Sequence, residues 1–259
     1  MTKRNSKLFH IFLAVSLALA PVGFLHGIVL ADANAQTLPF SQDWTDGSLI
    51  VANDDWSLVP GVMGYMGTGL TTTTGVDPQT VLAPDDPGVL DVNANQTNPN
   101  TFTTGGVTEF ALTDPAVALA GSGNANAPYL KLSINTTGFT AIQVSYDIRD
   151  LETGTDDAIQ RVALHYRIGS SGNFTNVPEA YVADATVVSA TMTTHVSVTL
   201  PAAVDNAALV QLRIMTTNAV GNDEWVGVDN ISITGTPAAG DTAPSVASTS
   251  PANGGEIAT

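Results

Sequence analysis

Alternating apolar and polar residues run through the second half of this chain and limit what it can fold into. The segments that show the alternation are Tyr129–Asn135, Thr140–Arg149, Ala158–Ile168, His195–Leu200, Ala208–Thr216 and Trp225–Ile233. Successive side chains of a β-strand point to opposite faces, so each segment has one apolar face for a core and one polar face. Helical periodicity is almost absent, and turn residues separate the segments at short intervals. The pattern predicts an all-β fold, a two-sheet antiparallel β-sandwich.

The first half of the chain has a weaker strand pattern. The candidate strands there are Leu49–Ala52, Trp56–Val59, Val62–Met66 and Thr108–Leu112. Residues 71–104 are rich in Thr, Asn, Asp and Pro, and we interpret them as extended loops.

The N-terminal residues have the composition of an export signal. Three basic residues precede a long apolar run, and Ala33-Asn34-Ala35 is a small-x-small cleavage site. The run is also long enough for an uncleaved membrane anchor, but the cleavage site favours removal of residues 1–35. We therefore expect a secreted or cell-surface protein with no membrane segment after cleavage.

Composition divides the rest of the chain. Residues 36–235 are predicted to form the β-sandwich domain. Residues 236–244, rich in Pro, Ala, Gly and Thr, are predicted to be a linker. Residues 245–259 look like the first strand of a further domain, so we expect the sandwich to be a monomer within a longer chain.

Charge and cysteine content exclude several classes of function. The sequence contains no cysteine, so it has neither disulfides nor thiolate sites. Its formal net charge is −16, and loss of residues 1–35 removes three basic residues and one acidic residue, giving −18. Such a charge repels nucleic acid and anionic membranes, and we expect the domain to bind neither.

The last predicted strand, Trp225–Ile233, contains an unusual carboxylate. Period two places Asp229 on the face of Ile231 and Ile233, which should be the core face. A buried carboxylate is costly unless it is paired, hydrogen-bonded or bound to a metal. A bulge at Asp229-Asn230 would instead turn the acid outward.

A structural calcium ion is one explanation for this carboxylate. Asp43, Glu224 and Asp229 are the predicted ligands, with Asp223 as a further candidate, and carbonyl and amide oxygens would complete the coordination. The alternative is that Asp229 only accepts hydrogen bonds from loop amides. A second acidic segment, Asp150–Asp157, lacks the ligand spacing of an EF-hand, and we interpret it as a solvated turn.

Two further groups of side chains are candidate ligand contacts. Arg149, Arg161, Arg167 and Arg213, together with Lys131, lie opposite the core positions of the predicted strands. They could form a positive surface for an acidic glycan or a phosphate group, although cross-strand pairs with acids such as Asp147 are the favoured interpretation.

Aromatic rings can also stack on sugars, and Trp56 and Tyr65 are the candidates because they lie near glycine-rich loops. Burial is the usual fate of tryptophan, and we expect it for Trp225.

No catalytic residues are predicted. Beyond residue 35 the only histidines are His165 and His195, and the sequence contains no Gly-x-Ser-x-Gly or His-Glu-x-x-His motif. A pair of carboxylates could serve a glycosidase, but chance pairs are plentiful in so acidic a chain. We therefore expect a protein that is not an enzyme.

Two segments resemble a known kind of module. Leu164–Pro178 and Arg213–Ile233 resemble a β-sandwich near the N-terminus of secreted, multidomain bacterial proteins. In several of those proteins it precedes an immunoglobulin-like repeat and an extracellular nuclease or phosphoesterase of the endonuclease/exonuclease/phosphatase superfamily. Residues Asp241–Asn253 are similar to the opening of that repeat.

A more distant resemblance is to jelly-roll domains of the MAM and cleaved-adhesin kind. It is carried by Phe40-Ser41-Gln42-Asp43 together with Val228-Asp229-Asn230-Ile231. It implies a sandwich of jelly-roll type, often with a structural calcium between the first and last strands. Gln42 stands where an acid is common in those domains.

Together these features predict a non-catalytic accessory or binding module of a larger secreted bacterial protein. By resemblance, the larger protein is a nuclease or phosphoesterase. One alternative is a calcium-dependent carbohydrate-binding module that meets an extracellular glycan. The other is a structural or adhesive spacer with no ligand.

Overall fold

The computed structural model describes residues 34–84, 89–154, 158–186 and 192–240. The predicted export signal, apart from its last two residues, and the predicted start of a further domain at 245–259 lie outside the described residues. Within these ranges the only helices are single 3-10 turns, none with the length and apolarity of a membrane span.

Thirteen strands make up the described sandwich and confirm the predicted all-β class. They are β1 (Gln36–Thr37), β2 (Phe40–Gln42), β3 (Val62–Tyr65), β4 (Asn93–Gln96), β5 (Gly106–Phe110), β6 (Ala116–Ala120), β7 (Tyr129–Asn135), β8 (Phe139–Asp150), β9 (Ala163–Ile168), β10 (Thr175–Asn176), β11 (Thr193–Thr199), β12 (Val210–Met215) and β13 (Val226–Pro237). The predicted strands at Leu49–Ala52 and Trp56–Val59 are wrong, because bends, turns and irregular backbone occupy those residues.

Two sheets pack face to face, as predicted. The first has the order β1-β7-β12-β9-β10, with β3 also paired to β7, and the second has the order β11-β8-β13-β6-β5-β4, with β2 also paired to β13. The pairing is antiparallel except for β1 with β7 and β4 with β5. This is the two-sheet, jelly-roll type of sandwich expected from the sequence.

The core lies between the sheets and takes side chains from alternate positions of both. Leu132 and Ile134 of β7 meet Ile148 of β8 and Val228 of β13 in one continuous apolar cluster. Burial of each such side chain contributes about 1.5–3 kcal/mol relative to exposure. Without cysteine, this core is the main source of stability.

A β-bulge divides β13. The register against β8 shifts between Asp229 and Ser232, and Asn230 has a positive φ of 50°. Val228 before the bulge and Ile231 after it both reach the core. The period-two prediction that Asp229 shares the face of Ile231 is therefore wrong, and the alternative of an outward-turned acid is confirmed.

A second, smaller apolar cluster lies on the outer face of the second sheet. Its members are Phe110, Ala116, Ala118, Ala120, Leu151 and Trp225, with Phe102 and Leu112 packed against it. Val117 and Leu119 alternate with these alanines and point into the main core instead. The small alanines leave room for the rings of Trp225 and Phe110, and this cluster supports the site described next.

Candidate ligand-binding cleft

A cleft of about 290 Å³ opens beside the outer cluster. It is formed by four loops that are distant along the chain but meet at one end of the second sheet. The lining residues are Asn100, Phe102, Thr103, Gly105, Ala120, Gly121, Ser122, Glu152, Gly221, Asn222, Asp223 and Trp225.

Aromatic rings form the apolar wall of the cleft. The ring centroids of Phe102 and Trp225 lie 5.8 Å apart, and those of Phe110 and Trp225 lie 5.2 Å apart in an edge-to-face arrangement. The indole Nε1–H of Trp225 donates to the carbonyl oxygen of Phe102 at 2.8 Å. Trp225 is only 3% exposed, whereas Phe102 is half-buried. The wall is therefore fixed by the indole, and Phe102 is its more accessible ring.

Carboxylates and amides form the polar wall. Oε2 of Glu152 accepts a hydrogen bond from the backbone N–H of Trp225 at 2.8 Å. Oδ1 of Asn100 accepts from the backbone N–H of Thr153 at 2.7 Å. These bonds tie the loops to each other, so the polar groups are held in place before any ligand arrives.

Asp223 is the most constrained acid of the cleft. Its Oδ1 accepts from the backbone N–H of Ala219 at 2.8 Å. Burial raises the pKa of the Asp223 carboxyl, and hydrogen bonds from Ala219, Gln160 and Gly121 oppose that rise. A Cβ on Gly121 would lie 2.4 Å from Oδ1 of Asp223, so a glycine is required for this close approach.

The arrangement combines an apolar surface with fixed hydrogen-bond acceptors. The lining contains no histidine, lysine or arginine among its described residues. Such a site can hold a small ligand that offers both an apolar face and hydrogen-bond donors.

The three predicted calcium ligands differ in exposure and in their hydrogen-bond partners. Asp43 is exposed, and its Oδ1 accepts from the N–H and the hydroxyl of Thr45 at 3.1 and 2.8 Å, which lowers the pKa of Asp43. Glu224 is buried beside the cleft. No group of three His, Cys, Asp or Glu residues suited to a metal occurs in the described ranges. Calcium binding stays a prediction.

Asp229 has a partner that sequence reasoning missed. Its Oδ2 lies 2.7 Å from a guanidinium nitrogen of Arg149, although only 1% of the side chain is exposed. Oδ1 accepts from the backbone N–H of Asn230 at the bulge. Burial raises the pKa of Asp229, and the bonds to Asn230 and Arg149 oppose the rise. Asp229 therefore accepts a hydrogen bond from a backbone amide and forms an ion pair, and neither contact tests whether it also binds calcium.

The predicted positive surface is wrong for Arg167 and Arg213, which are buried. Arg213 donates to the carbonyls of Val81 and Ala83 and to Nδ1 of His165, and its guanidinium lies 4.1 Å from the Phe174 ring centroid. The loop carrying Val81 covers this face of the first sheet, which the strand pattern could not reveal.

The other arginines are partly buried. Arg161 donates to the carbonyl of Gly75 at 3.3 Å. Arg149 pairs with Asp114 as well as Asp229. Asp147, the expected arginine partner, lies 2.7 Å from Nδ1 of His195 instead. The favoured cross-strand interpretation is therefore confirmed for Arg149. Arg167 donates to the side-chain oxygen of Gln211 on the neighbouring strand.

The expected exposure of Trp56 and Tyr65 is also wrong. Trp56 is fully buried, and its Nε1–H donates to the carbonyl of Asp91 at 3.1 Å. Tyr65 is buried against Tyr129, with ring centroids 4.9 Å apart. Both rings belong to the main core, so neither is available to stack on a ligand.

Several cleft residues were visible in the sequence with other meanings. Glu152 belongs to the acidic segment that we interpret as a solvated turn, the sequence makes Asp223 a further calcium candidate, and it predicts that Trp225 is buried. Phe102 and Asn100 gave no signal, since nothing local shows that they lie beside Trp225. Only the tertiary fold brings these residues together.

No protein-family model matches this sequence, and no curated protein matches it. Among solved structures, it is similar to a carbohydrate-binding module specific for non-crystalline cellulose, CBM28, at 14% identity and a TM-score of 0.38, over 54% of this chain and 86% of that one. It is also similar to the K3 cleaved adhesin domain of Lys-gingipain from Porphyromonas gingivalis, at 16% identity and a TM-score of 0.31, over 47% and 74% of the two chains.

A third similarity is to the Stig cyclase Fisc from Fischerella, at 13% identity and a TM-score of 0.37, over 69% of this chain and 86% of that one. Similarities at this level assign neither a ligand nor a binding site to this chain.

Proposed function

We propose that this protein is a non-catalytic binding module that holds a carbohydrate in the cleft between Phe102, Trp225, Glu152 and Asn222. The observation that carries the proposal is the cleft itself, in which an aromatic wall faces fixed carboxylate and amide groups. Of the functions considered from the sequence, the carbohydrate-binding module needs such a site, whereas a spacer does not.

Sugars match this chemistry because a pyranose ring offers C–H groups on its faces and hydroxyl donors around its edge. The C–H groups pack on aromatic rings, and the hydroxyls donate to carboxylate and amide oxygens. Small-molecule sites usually enclose about 300–1,000 Å³. A volume of about 290 Å³ is just below this range, so the cleft fits a single sugar or the end of a glycan chain.

The first experiment is a screen of the purified protein against immobilised glycans, followed by calorimetric titration of the best ligand. Asn222→Ala removes an exposed amide from the lining and should weaken binding by about five- to tenfold, the usual size of one hydrogen bond. Asn173→Ala is the matched control, because Asn173 is exposed but lies in the turn after β9, away from the cleft.

Two results would count against the proposal. If no glycan binds, the carbohydrate function is wrong. If a glycan binds and Asn222→Ala behaves like Asn173→Ala, the ligand occupies another surface.

Calcium at Asp43, Glu224 and Asp229 is a separate proposal, supported by the jelly-roll resemblance and by the burial of Asp229. It predicts a higher melting temperature with calcium chloride, and loss of that increase in Asp229→Asn. An unchanged melting temperature with excess chelator would contradict it. Glycan titrations with and without chelator separate a calcium-dependent module from a calcium-independent one.

The setting of the module is also a proposal. The resemblance of Leu164–Pro178 and Arg213–Ile233 supports an exported, larger protein whose nuclease or phosphoesterase domain follows the sandwich. N-terminal sequencing of the exported product should begin at Gln36, and the downstream gene sequence should encode the catalytic domain. A retained leader, or a different downstream domain, would contradict these two expectations separately.

A further inference from the structure

The negative charge of the cleft indicates which kind of carbohydrate it binds. This inference rests on the proposed function. We infer that the cleft selects a sugar bearing a protonated amine, an amino sugar such as unacetylated glucosamine, over neutral and acidic sugars. Glu152 and Asp223 both line the cleft, and no lysine, arginine or histidine is among its described lining residues.

Fixed carboxylates favour a cation more than mobile ones do. The backbone N–H of Trp225 holds Glu152, and that of Ala219 holds Asp223. An ammonium group that enters the cleft therefore meets acceptors that need little reorganisation, and charge-assisted hydrogen bonds are about twice as strong as neutral ones.

The partly buried acid adds to this preference. Burial raises the pKa of Asp223, which means that its ionised form lacks some of the stabilisation that water gives. A ligand ammonium beside the carboxylate would supply that stabilisation. A neutral sugar would supply only hydroxyl hydrogen bonds.

Arg149 on the second sheet is paired with Asp114 and Asp229, and it does not line the cleft. Arg213 is buried on the first sheet under the loop that carries Val81, and Arg167 is buried on the neighbouring strand of that sheet, whereas the cleft lies at the outer face of the second sheet. The formal net charge of −16 also attracts cations and repels uronic, sulfated or phosphorylated glycans. The inference therefore favours a basic ligand over the acidic one that the arginine pattern offers as an alternative.

Calorimetric titrations with four ligands test the inference at a pH where sugar amines are protonated. The ligands are a glucosamine tetrasaccharide, its N-acetylated counterpart, a tetragalacturonate and a simple alkyl diamine. The amino sugar should bind about tenfold more tightly than its acetylated counterpart, as expected for one charge-assisted contact. The galacturonate should not bind detectably, and the diamine should bind more weakly than the amino sugar, because it lacks a ring for Phe102.

Glu152→Gln tests whether the cleft carboxylate causes the preference. A glutamine carbonyl can still accept from the Trp225 N–H, so the variant removes charge and keeps the loop contact. It should weaken binding of the amino sugar at least about fivefold more than it weakens binding of the acetylated counterpart. Glu179→Gln removes the same charge from an exposed site in the 3-10 turn Pro178–Ala180. It should change neither the affinity for the amino sugar nor the affinity for its acetylated counterpart.

The possible failures are distinguishable. Equal binding of amino and acetylated sugars overturns the inference but leaves the proposed function intact. An amino-sugar preference that survives Glu152→Gln, or that falls equally in Glu179→Gln, means that net charge attracts the ligand and also overturns it. If the diamine binds as tightly as the amino sugar, the cleft recognises the amine alone, and the claim that it selects a sugar is overturned. If none of the glycans here or in the screen binds, the proposed function falls as well.

Discussion

At the scale of single residues, Asp91 is a buried acid outside the cleft that a backbone hydrogen bond stabilises. Its Oδ2 accepts from the backbone N–H of Val107, and a Cβ at Gly106 would lie 2.1 Å from that oxygen. Burial raises the pKa of Asp91 to about 6; the Val107 amide opposes the shift, and the charge of Asp54 adds to it.

This pKa predicts a stability that depends on pH. The folded-state pKa lies above the ordinary value of 3.8, so the protonated carboxyl stabilises the fold below about pH 4. That contribution is lost as the pH rises through 6, up to about 3 kcal/mol at neutral pH. Asp91→Asn should flatten the dependence of melting temperature on pH between 4 and 7. A pH profile parallel to that of the wild-type protein would contradict the shift, and the exposed Glu179→Gln is the control.

Arg213 gives a second prediction at this scale. It is fully buried, and its replacement by methionine keeps the apolar bulk but leaves the carbonyls of Val81 and Ala83 without their donor. We expect Arg213→Met to lose about 3 kcal/mol of unfolding free energy in urea, as is typical for breaking a buried polar contact. Arg161→Met, at a half-buried position, should lose less than about 1 kcal/mol. Equal losses of unfolding free energy in Arg213→Met and Arg161→Met would show that burial of the arginine does not determine its contribution to stability.

At the scale of elements, the bulge in β13 organises the second sheet. Before it, Val226–Val228 pair with β6; after it, Ile231–Ile233 pair with β2. Asn230 makes the bulge with a left-handed backbone, and its side-chain amide donates to Asp147 at 3.0 Å. Because of the bulge, β13 places side chains in the main core both where it pairs with β6 and where it pairs with β2.

Replacement of Asn230 tests this backbone requirement. Asn230→Gly and Asn230→Val both lose the bond to Asp147, so their difference isolates the cost of the positive φ. The valine variant should be less stable than the glycine variant by about 1–2 kcal/mol, because a β-branched residue resists this conformation. Equal unfolding free energies would mean that the bulge does not hold Asn230 in this conformation.

The sequence predicted elements whose pattern is local and failed where distant residues decide. The alternation in Tyr129–Asn135 predicts β7 to the residue, because one side of that strand faces the core along its full length. The same rule failed at Asp229, since a bulge shifts the phase. It could not show that Arg213 and Trp56 are buried, because a loop from elsewhere in the chain covers Arg213 and Trp56 enters the main core from outside any strand. The cleft was missed for the same reason.

At the scale of the whole molecule, the outer faces of the two sheets differ. The outer face of the first sheet is covered by the loop carrying Val81, whose carbonyls accept hydrogen bonds from the buried Arg213. The outer face of the second sheet carries its own small apolar cluster and the acidic cleft. In a chain with a formal net charge of −16, this division leaves the cleft as the best candidate for a specific ligand.

Tryptophan indole signals in an NMR titration with the best-binding glycan test the central claim most directly. The sequence has three tryptophans: Trp225 at the cleft, and Trp44 and Trp56 in the main core. We predict that the indole N–H signal of Trp225 shifts progressively to saturation while those of Trp44 and Trp56 stay in place. A glycan that binds while the Trp225 signal remains unmoved would contradict the assignment of the cleft as the binding site.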